Sequence, residues 1–171
     1  MSIFGLTGNI GCGKSMVATL LTMYHDVVAF DCDKIAKQII ASFAHRATIE
    51  QVLGANVFSA VGVDFKAIAK IVFGDVERKK QLEEFIHPLV WDAVQREIVK
   101  LEDWQIAIVE SAILYETHRE DKFVGIIVSV CDEDKQRRWL REVRKMTDAN
   151  IDARLREQLP AAEKERRAQF V

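Results

Sequence analysis

A chain of 171 residues with 49% hydrophobic and 29% charged side chains carries enough apolar material for one sizeable core, which excludes a disordered or fibrous class. Its formal charge of −2 gives no general pull toward nucleic acid, and no apolar run approaches the ~20 residues that span a bilayer. The first residues enter a strand and not a basic-then-apolar leader, so the expectation is a cytoplasmic protein with neither a nucleic-acid nor a membrane partner.

In chain order, Ile3, Phe4 and Leu6 form a short apolar run with no helical start signal and predict a buried strand. A glycine-rich turn follows at once: Gly8, four intervening residues, then Gly13-Lys14-Ser15, with Met16 to Met23 continuing as a helix. Glycines at 8, 11 and 13 allow unusual backbone angles, so that successive N–H groups can close around phosphate oxygens. The start of the next helix adds unpaired donors and a positive dipole end. Lys14 supplies a point charge for the β/γ-phosphates, and the Ser15 hydroxyl can ligate Mg²⁺. A glycine-rich strand-to-helix turn with an incidental lysine is the bland alternative. The order of strand, loop and helix instead predicts that Gly8, Asn9, Ile10, Gly11, Cys12, Gly13, Lys14 and Ser15 hold a nucleoside triphosphate.

Asp26 to Phe30 is a second strand-length apolar run, and it leads into Asp31-Cys32-Asp33. In an open parallel sheet ligands gather outside the carboxyl ends of strands, so these acids should face the same rim as the loop. Residues 33–43 look helical. From about 47 to 101 helical patterns dominate, with one helix closed by Gly54, another by Gly74, and a long run from Asp75 to Leu101 in which Pro88 should kink or split the helix near His87. These helices suggest a substrate lobe over about 44–101. Gln105 to Val109 and Phe123 to Val130 return to strand patterns, and strands separated by helical crossovers predict an α/β parallel sheet flanked by helices. Lys135, Arg137, Arg138, Arg141, Arg144 and Lys145 then cluster on a predicted helix, followed by polar helices over 148–158 and 160–168 with Pro160 suited to a first turn. The stretch 134–158 reads as a lid within a single domain, 1–171.

A phosphate-binding loop alone does not choose between kinase, ATPase and GTPase. No Asn-Lys-x-Asp segment is present to read guanine, and no second motor domain or long basic surface suits a nucleic-acid motor. A small-molecule kinase needs an acid near the acceptor hydroxyl, a second-substrate lobe and cations over the transferring phosphate, and each has a candidate. Asp33 is the candidate general base, with helix capping as its alternative; Asp31 either assists through metal-bound water or fixes the loop. His87 is either a substrate contact or a polar residue at a proline kink. Arg137, Arg141 and Arg144 fall on one helical face, either as a solvated surface or as a lid closing on ATP. Glu110 and Glu116 order metal-bound water or a loop, and Trp91, Trp104 and Trp139 read as packing residues. Cys12, Cys32 and Cys131 show no metal-ligand spacing and cannot all pair with one another, which favours a reduced compartment. Cys12, beside Lys14 and the loop donors, is then expected to be a reactive thiol that nucleotide protects.

These residues resemble the dephospho-coenzyme A kinase family along nearly the whole chain. Gly5 to Ser15 is similar to its phosphate loop, which usually has serine where Cys12 stands. Asp31-Cys32-Asp33 with Ile35-Ala36 resembles its Asp-x-Asp-x-Ile-Ala segment; Leu82-Glu83 with Ile86-His87-Pro88 matches its Leu-Glu and His-Pro pattern; Glu110 to Glu116 is similar to its Asp-x-Pro-Leu-Leu-Phe-Glu stretch. Arg137 to Arg144 and Gln158 resemble its lid and the glutamine beyond it. Phe65, Leu53 and Ala112 depart from the family's arginine, phenylalanine and proline. Family members usually run on past a segment like Ala168 to Val171 into a last strand with an asparagine near the adenine, so the expectation is either a shortened chain or a different adenine pocket. The resemblance implies a P-loop containing nucleoside triphosphate hydrolase type of fold with a helical substrate lobe and a lid. It implies ATP and Mg²⁺ at the loop, with transfer to the 3′-hydroxyl of dephospho-coenzyme A as the last step of coenzyme A synthesis. Asp33, Lys14 and Arg141 would be catalytic; Asp33, His87 and Leu114 would hold the acceptor; Ser15 would ligate the metal. From the residues alone, another small-molecule or nucleotide kinase and a P-loop regulatory module stay open.

Overall fold

A computed structural model describes residues 1–171. In chain order the elements are β1 (Ser2–Thr7), α1 (Lys14–Leu21), β2 (Val27–Asp31), α2 (Cys32–Ala41), α3 (Arg46–Leu53), β3 (Phe58–Ser59), β4 (Gly62–Val63), α4 (Phe65–Gly74), α5 (Val76–Ile98), β5 (Ile106–Glu110), β6 (Gly125–Val128), α6 (Glu133–Glu142), α7 (Asp148–Arg156) and α8 (Ala161–Arg167). They divide into two compact units, Met1–Asp31 with Lys100–Val171, and Cys32–Val99.

The first unit is built on a four-stranded sheet in the order β2-β5-β1-β6, with every pairing parallel. Its strands are near-continuous apolar runs because both faces are covered. Leu6, Ala18 and Ile108 form a core cluster with Phe4, Val17, Leu21 and Ile127 against it. Leu114, Tyr115, Ile126 and Val128 form another, joined by Phe123, Leu159 and Ala168. A parallel sheet sends all its carboxyl ends to one rim. Four connections therefore leave from that rim: the glycine loop after β1, Asp31 at the end of β2, Glu110 at the end of β5, and Ser129 to Cys131 after β6. The chain returns to β6 at Phe170, which bridges Ile127 in parallel. This is the expected α/β fold of P-loop type, although β6 is four residues long where the apolar run 123–130 suggested eight.

In the second unit α2, α3 and α4 all pack on α5. Leu82, Ile86, Val90, Val94 and Ile98 recur every fourth residue of α5 and are all buried, so one stripe of that helix serves as the spine of the unit. Of the kink or split expected near Pro88, the split does not occur, and α5 runs unbroken for 23 residues. Proline removes a single intrahelical hydrogen bond, while the buried stripe on both sides of it holds the helix together. The unit includes α2, which packs on α5, as well as the stretch from about 44 expected as a substrate lobe. A two-strand hairpin, β3 with β4, was not anticipated among the helices. Its turn is closed by Ser59 Oγ donating to the Gly62 carbonyl at 3.1 Å. Gly54 ends α3 in the left-handed conformation (φ 61°), as its position predicts.

Candidate active site

The loop after β1 is shaped by contacts that only glycine permits. A Cβ at Gly8 would run into the Ser129 carbonyl, and one at Gly11 (φ +82°) would press on Leu140 at 3.0 Å. Both neighbours approach closely, so the loop lies tight against the segment after β6 and against α6. Lys14 is 91% buried, and its ammonium donates to the carbonyls of Gly8 at 3.0 Å and Asn9 at 3.1 Å, curling back over the loop. Gly13 precedes α1 with no side-chain cap, so the positive end of the helix dipole faces the loop. The buried Asn9 Oδ1 and Thr7 Oγ1 have no hydrogen-bond partner. A concave nest of N–H donors, a helix N-terminus and a lysine can together hold a polyphosphate.

Ser15, the first-turn hydroxyl of α1, donates to Glu110 Oε1 at 2.7 Å. Glu110 is 8% exposed, and its place in the sheet puts Asp31 on one side of it and Leu6 on the other. Two carboxylates thus stand in register on adjacent strand ends. No group of three or more His, Cys, Asp or Glu side chains is arranged to hold a metal. The oxygen donors present, a hydroxyl and a nearby carboxylate, fit Mg²⁺, which keeps most of its waters and binds through one or two protein oxygens and substrate phosphates. Of these, Ser15 was legible from its motif, while the Glu110 contact joins residues 95 apart.

Helix α6 and the segments after it enclose the loop. Gln136 Nε2 donates to the Ile10 carbonyl at 2.5 Å, and the Ile10 N–H donates to Gln158 Oε1 at 2.9 Å. Gln158 in turn donates to the Ala112 carbonyl at 3.4 Å. That carbonyl also receives Lys164 Nζ at 2.7 Å, and Lys164 pairs with Glu116 at 2.8 Å. Lys164 is wholly buried, and burial pulls its pKa down further than Glu116 raises it. Lys164, Gln136 and Ser129 were not singled out from the sequence. Lys164 follows Pro160 by four residues in a polar helix, where nothing distinguishes a buried lysine from a solvated one.

The arginines of this region are engaged by acids of the same region. Arg137 bonds Asp152 at 2.8 Å and Glu133 at 3.0 Å, which raises its pKa further, while Arg141 reaches Asp148 at 3.4 Å. Arg144 was expected on their helical face, but α6 stops at Glu142, and its guanidinium lies over the Trp139 ring at 5.1 Å. Exposed pairs of this kind are weak and can be exchanged for a phosphate.

Cys12 and Cys131 form a disulfide, with Cα atoms 5.2 Å apart. This corrects the expectation of a reactive Cys12 thiol, and leaves Cys32 as the odd cysteine. All three cysteines follow predicted strands, which hints at a shared rim, but a 119-residue separation does not say which of them pair; parallel strands bring Cys12 and Cys131 together. Leu114, expected at the acceptor, is 2% exposed, so its side chain belongs to the core. Asp33 and His87 belong to the other unit. Asp33 is exposed in the first turn of α2, and His87 is half-buried on α5 beside Pro88.

The dephospho-CoA kinase family profile matches residues 2–171. A dephospho-CoA kinase of Bdellovibrio bacteriovorus is 34% identical over all of this chain and 86% of its own length. One from Geobacter sulfurreducens is 31% identical over all of this chain and 88% of its own. Among solved structures, a Thermus thermophilus protein superposes with a TM-score of 0.84 at 30% identity, covering 99% of this chain and 86% of that one. Dephospho-CoA kinase from Campylobacter jejuni superposes at 0.69 with 26% identity, covering 98% and 85%. A glycine loop on a parallel-sheet rim, its serine bonded to a strand-end glutamate, and a profile match along the whole sequence agree: this chain belongs to the dephospho-CoA kinase family.

Proposed function

We propose that the chain transfers the γ-phosphoryl group of ATP to the 3′-hydroxyl of dephospho-coenzyme A, giving coenzyme A and ADP. The observation that supports this most directly is the family match from residue 2 to residue 171, which includes the loop Gly8–Ser15. In this reading Lys14 leaves the Gly8 and Asn9 carbonyls and turns to the β- and γ-phosphates, where its charge offsets the charge that grows on the oxygens. The N–H groups opening α1 take the remaining phosphate oxygens. Ser15, with Glu110 behind it, would hold Mg²⁺; the ion neutralises the β- and γ-phosphate oxygens when bound. Asp33 orients the acceptor hydroxyl and accepts its proton as the new bond to phosphorus forms. His87 contributes to holding the acceptor from the lobe formed by the second unit. Residues 134–158 act as a lid, and Arg141 exchanges Asp148 for the transferring phosphate as the lid closes and excludes water. The reading includes a cytoplasmic location; no helix is long and apolar enough to cross a membrane.

The test is ADP release in three arms: with dephospho-coenzyme A, with nucleosides and nucleotides, and with no acceptor. Release that depends on dephospho-coenzyme A, with a matching gain of 3′-phosphate, is the expected result. Equal release in all three arms would make the chain a nucleotide hydrolase or regulatory module, and release with nucleosides alone would make it a different kinase.

A further inference from the structure

Cys12 lies in the phosphate loop and Cys131 stands just before the residue that caps α6, so the bridge between them ties the loop to the root of the proposed lid. We propose that the pair is a thiol–disulfide exchange site for a low-molecular-weight disulfide, and that closing the bridge holds the chain in a state that binds ATP weakly and transfers slowly. The effect on turnover rests on the kinase reading above.

Three observations carry this. A Cα separation of 5.2 Å lies within the ~4.4–6.8 Å range of disulfides, so the backbone as it stands accommodates the bridge. Access is lopsided: Cys12 is 6% exposed, whereas Cys131 is on the surface. A soluble disulfide or thiol therefore enters at Cys131, and Cys12 acts from within. The placement also has mechanical consequences. Cys12 stands between Gly11 and Gly13 with its N–H on the Asn9 carbonyl at 3.2 Å and its carbonyl accepting from Ser129 Oγ. Cys131 directly precedes Asp132, whose side chain caps α6. The bridge thus ties the phosphate loop to the root of α6, whose Gln136 and Leu140 already rest on Ile10 and Gly11. Hydrogen bonds and side-chain contacts can be traded for phosphate contacts when ATP enters. A covalent strap cannot.

The chemistry closes without any further reagent. The Cys131 thiolate attacks one sulfur of RSSR, forming a mixed disulfide and expelling RS⁻. The Cys12 thiolate then attacks the Cys131 sulfur, forming the bridge and expelling the second RS⁻. Two protein thiols are oxidised, one small disulfide is reduced to two thiols, and their protons pass to the departing thiolates. Excess RSH runs the same steps backwards.

The test uses the whole chain, reduced and then equilibrated in cystamine–cysteamine buffers, with and without saturating Mg-ATP, acid-quenched and analysed by thiol count and intact mass. We expect three thiols to fall to one with no cysteamine retained, which marks an internal bridge. ATP should shift the exchange constant toward the dithiol by about tenfold or more, since a bridge that weakens ATP binding must be disfavoured by ATP to the same degree. Transfer to dephospho-coenzyme A should fall by a similar factor on bridging and return on reduction. Cys131→Ser should transfer at the reduced wild-type rate in both buffers, and Cys131→Ala replaces it if the serine variant does not fold. An exchange constant indifferent to ATP would overturn the proposal. So would a Cys131→Ser protein that cystamine inhibits as strongly as the wild type. Should the reduced chain phosphorylate no dephospho-coenzyme A, the kinase reading fails, while the ATP dependence of the exchange constant still decides the bridge.

Discussion

Asp33 sits where two demands on one carboxylate can be separated. It occupies the first turn of α2, where a negative charge is favourable to the helix by about 0.3–1 kcal/mol, and in the proposed mechanism it also takes the proton of the acceptor. Asp33→Asn keeps the size and loses the basicity. Single-turnover transfer should fall by roughly 10²–10⁴-fold with ATP affinity and melting temperature nearly unchanged; a variant that transfers at a near-native rate would reduce Asp33 to a helix-starting residue. Lys14 and Ser15 were legible because the spacing around them carries its own mechanism. Glu110 was legible as an acid that orders metal-bound water or a loop, but its bond to Ser15 was not, since that depends on β1 and β5 lying side by side. That the Leu114 side chain turns into the core was not legible, because a segment resembling a substrate loop gives no sign of which side chains turn inward.

Among the elements, α8 has the least visible role in the sequence and the clearest electrostatic one in the fold. Its Lys164 is buried against Glu116 and the Ala112 carbonyl, and burial lowers its pKa below the ordinary lysine value. Over the alkaline range between that lowered value and the unfolded value of about 10.4, the native chain binds fewer protons at this site than the unfolded chain does. Stability contributed by this group therefore rises with pH across that window. Thermal melts should show the wild type gaining on Lys164→Met as pH climbs through it, and parallel curves for the two proteins would mean that the ammonium is as well solvated as it is in the unfolded state. Helices closed by glycine were legible, as Gly54 after α3 illustrates, because caps act locally. The long run of α5 was legible too, but not its continuity through Pro88. Pro88 is a local signal for a break, and the stripe from Leu82 to Ile98 that overrides it acts through α2, α3 and α4.

At the scale of the molecule, the alternation of apolar runs with helical stretches was enough to give a parallel sheet, but the order β2-β5-β1-β6 was not written in any one segment. The same order explains why the cysteine pairing escaped notice. Cys12 follows β1, Cys131 follows β6, and these strands are neighbours in the sheet although they stand far apart in the chain. With the bridge closed, everything from Cys12 to Cys131 becomes a covalent ring, and the whole unit Cys32–Val99 lies within it. Tension applied at Met1 and Val171 passes from Cys12 directly to Cys131, so that unit carries no load however hard the ends are drawn apart. Pulled by its termini under an optical trap, the bridged chain should pay out only the two flanking segments, with the remaining contour length appearing after a reductant is added. A machine that threads the chain from its C-terminus would meet the ring as a double strand at Cys131 and stall there until the bridge is reduced.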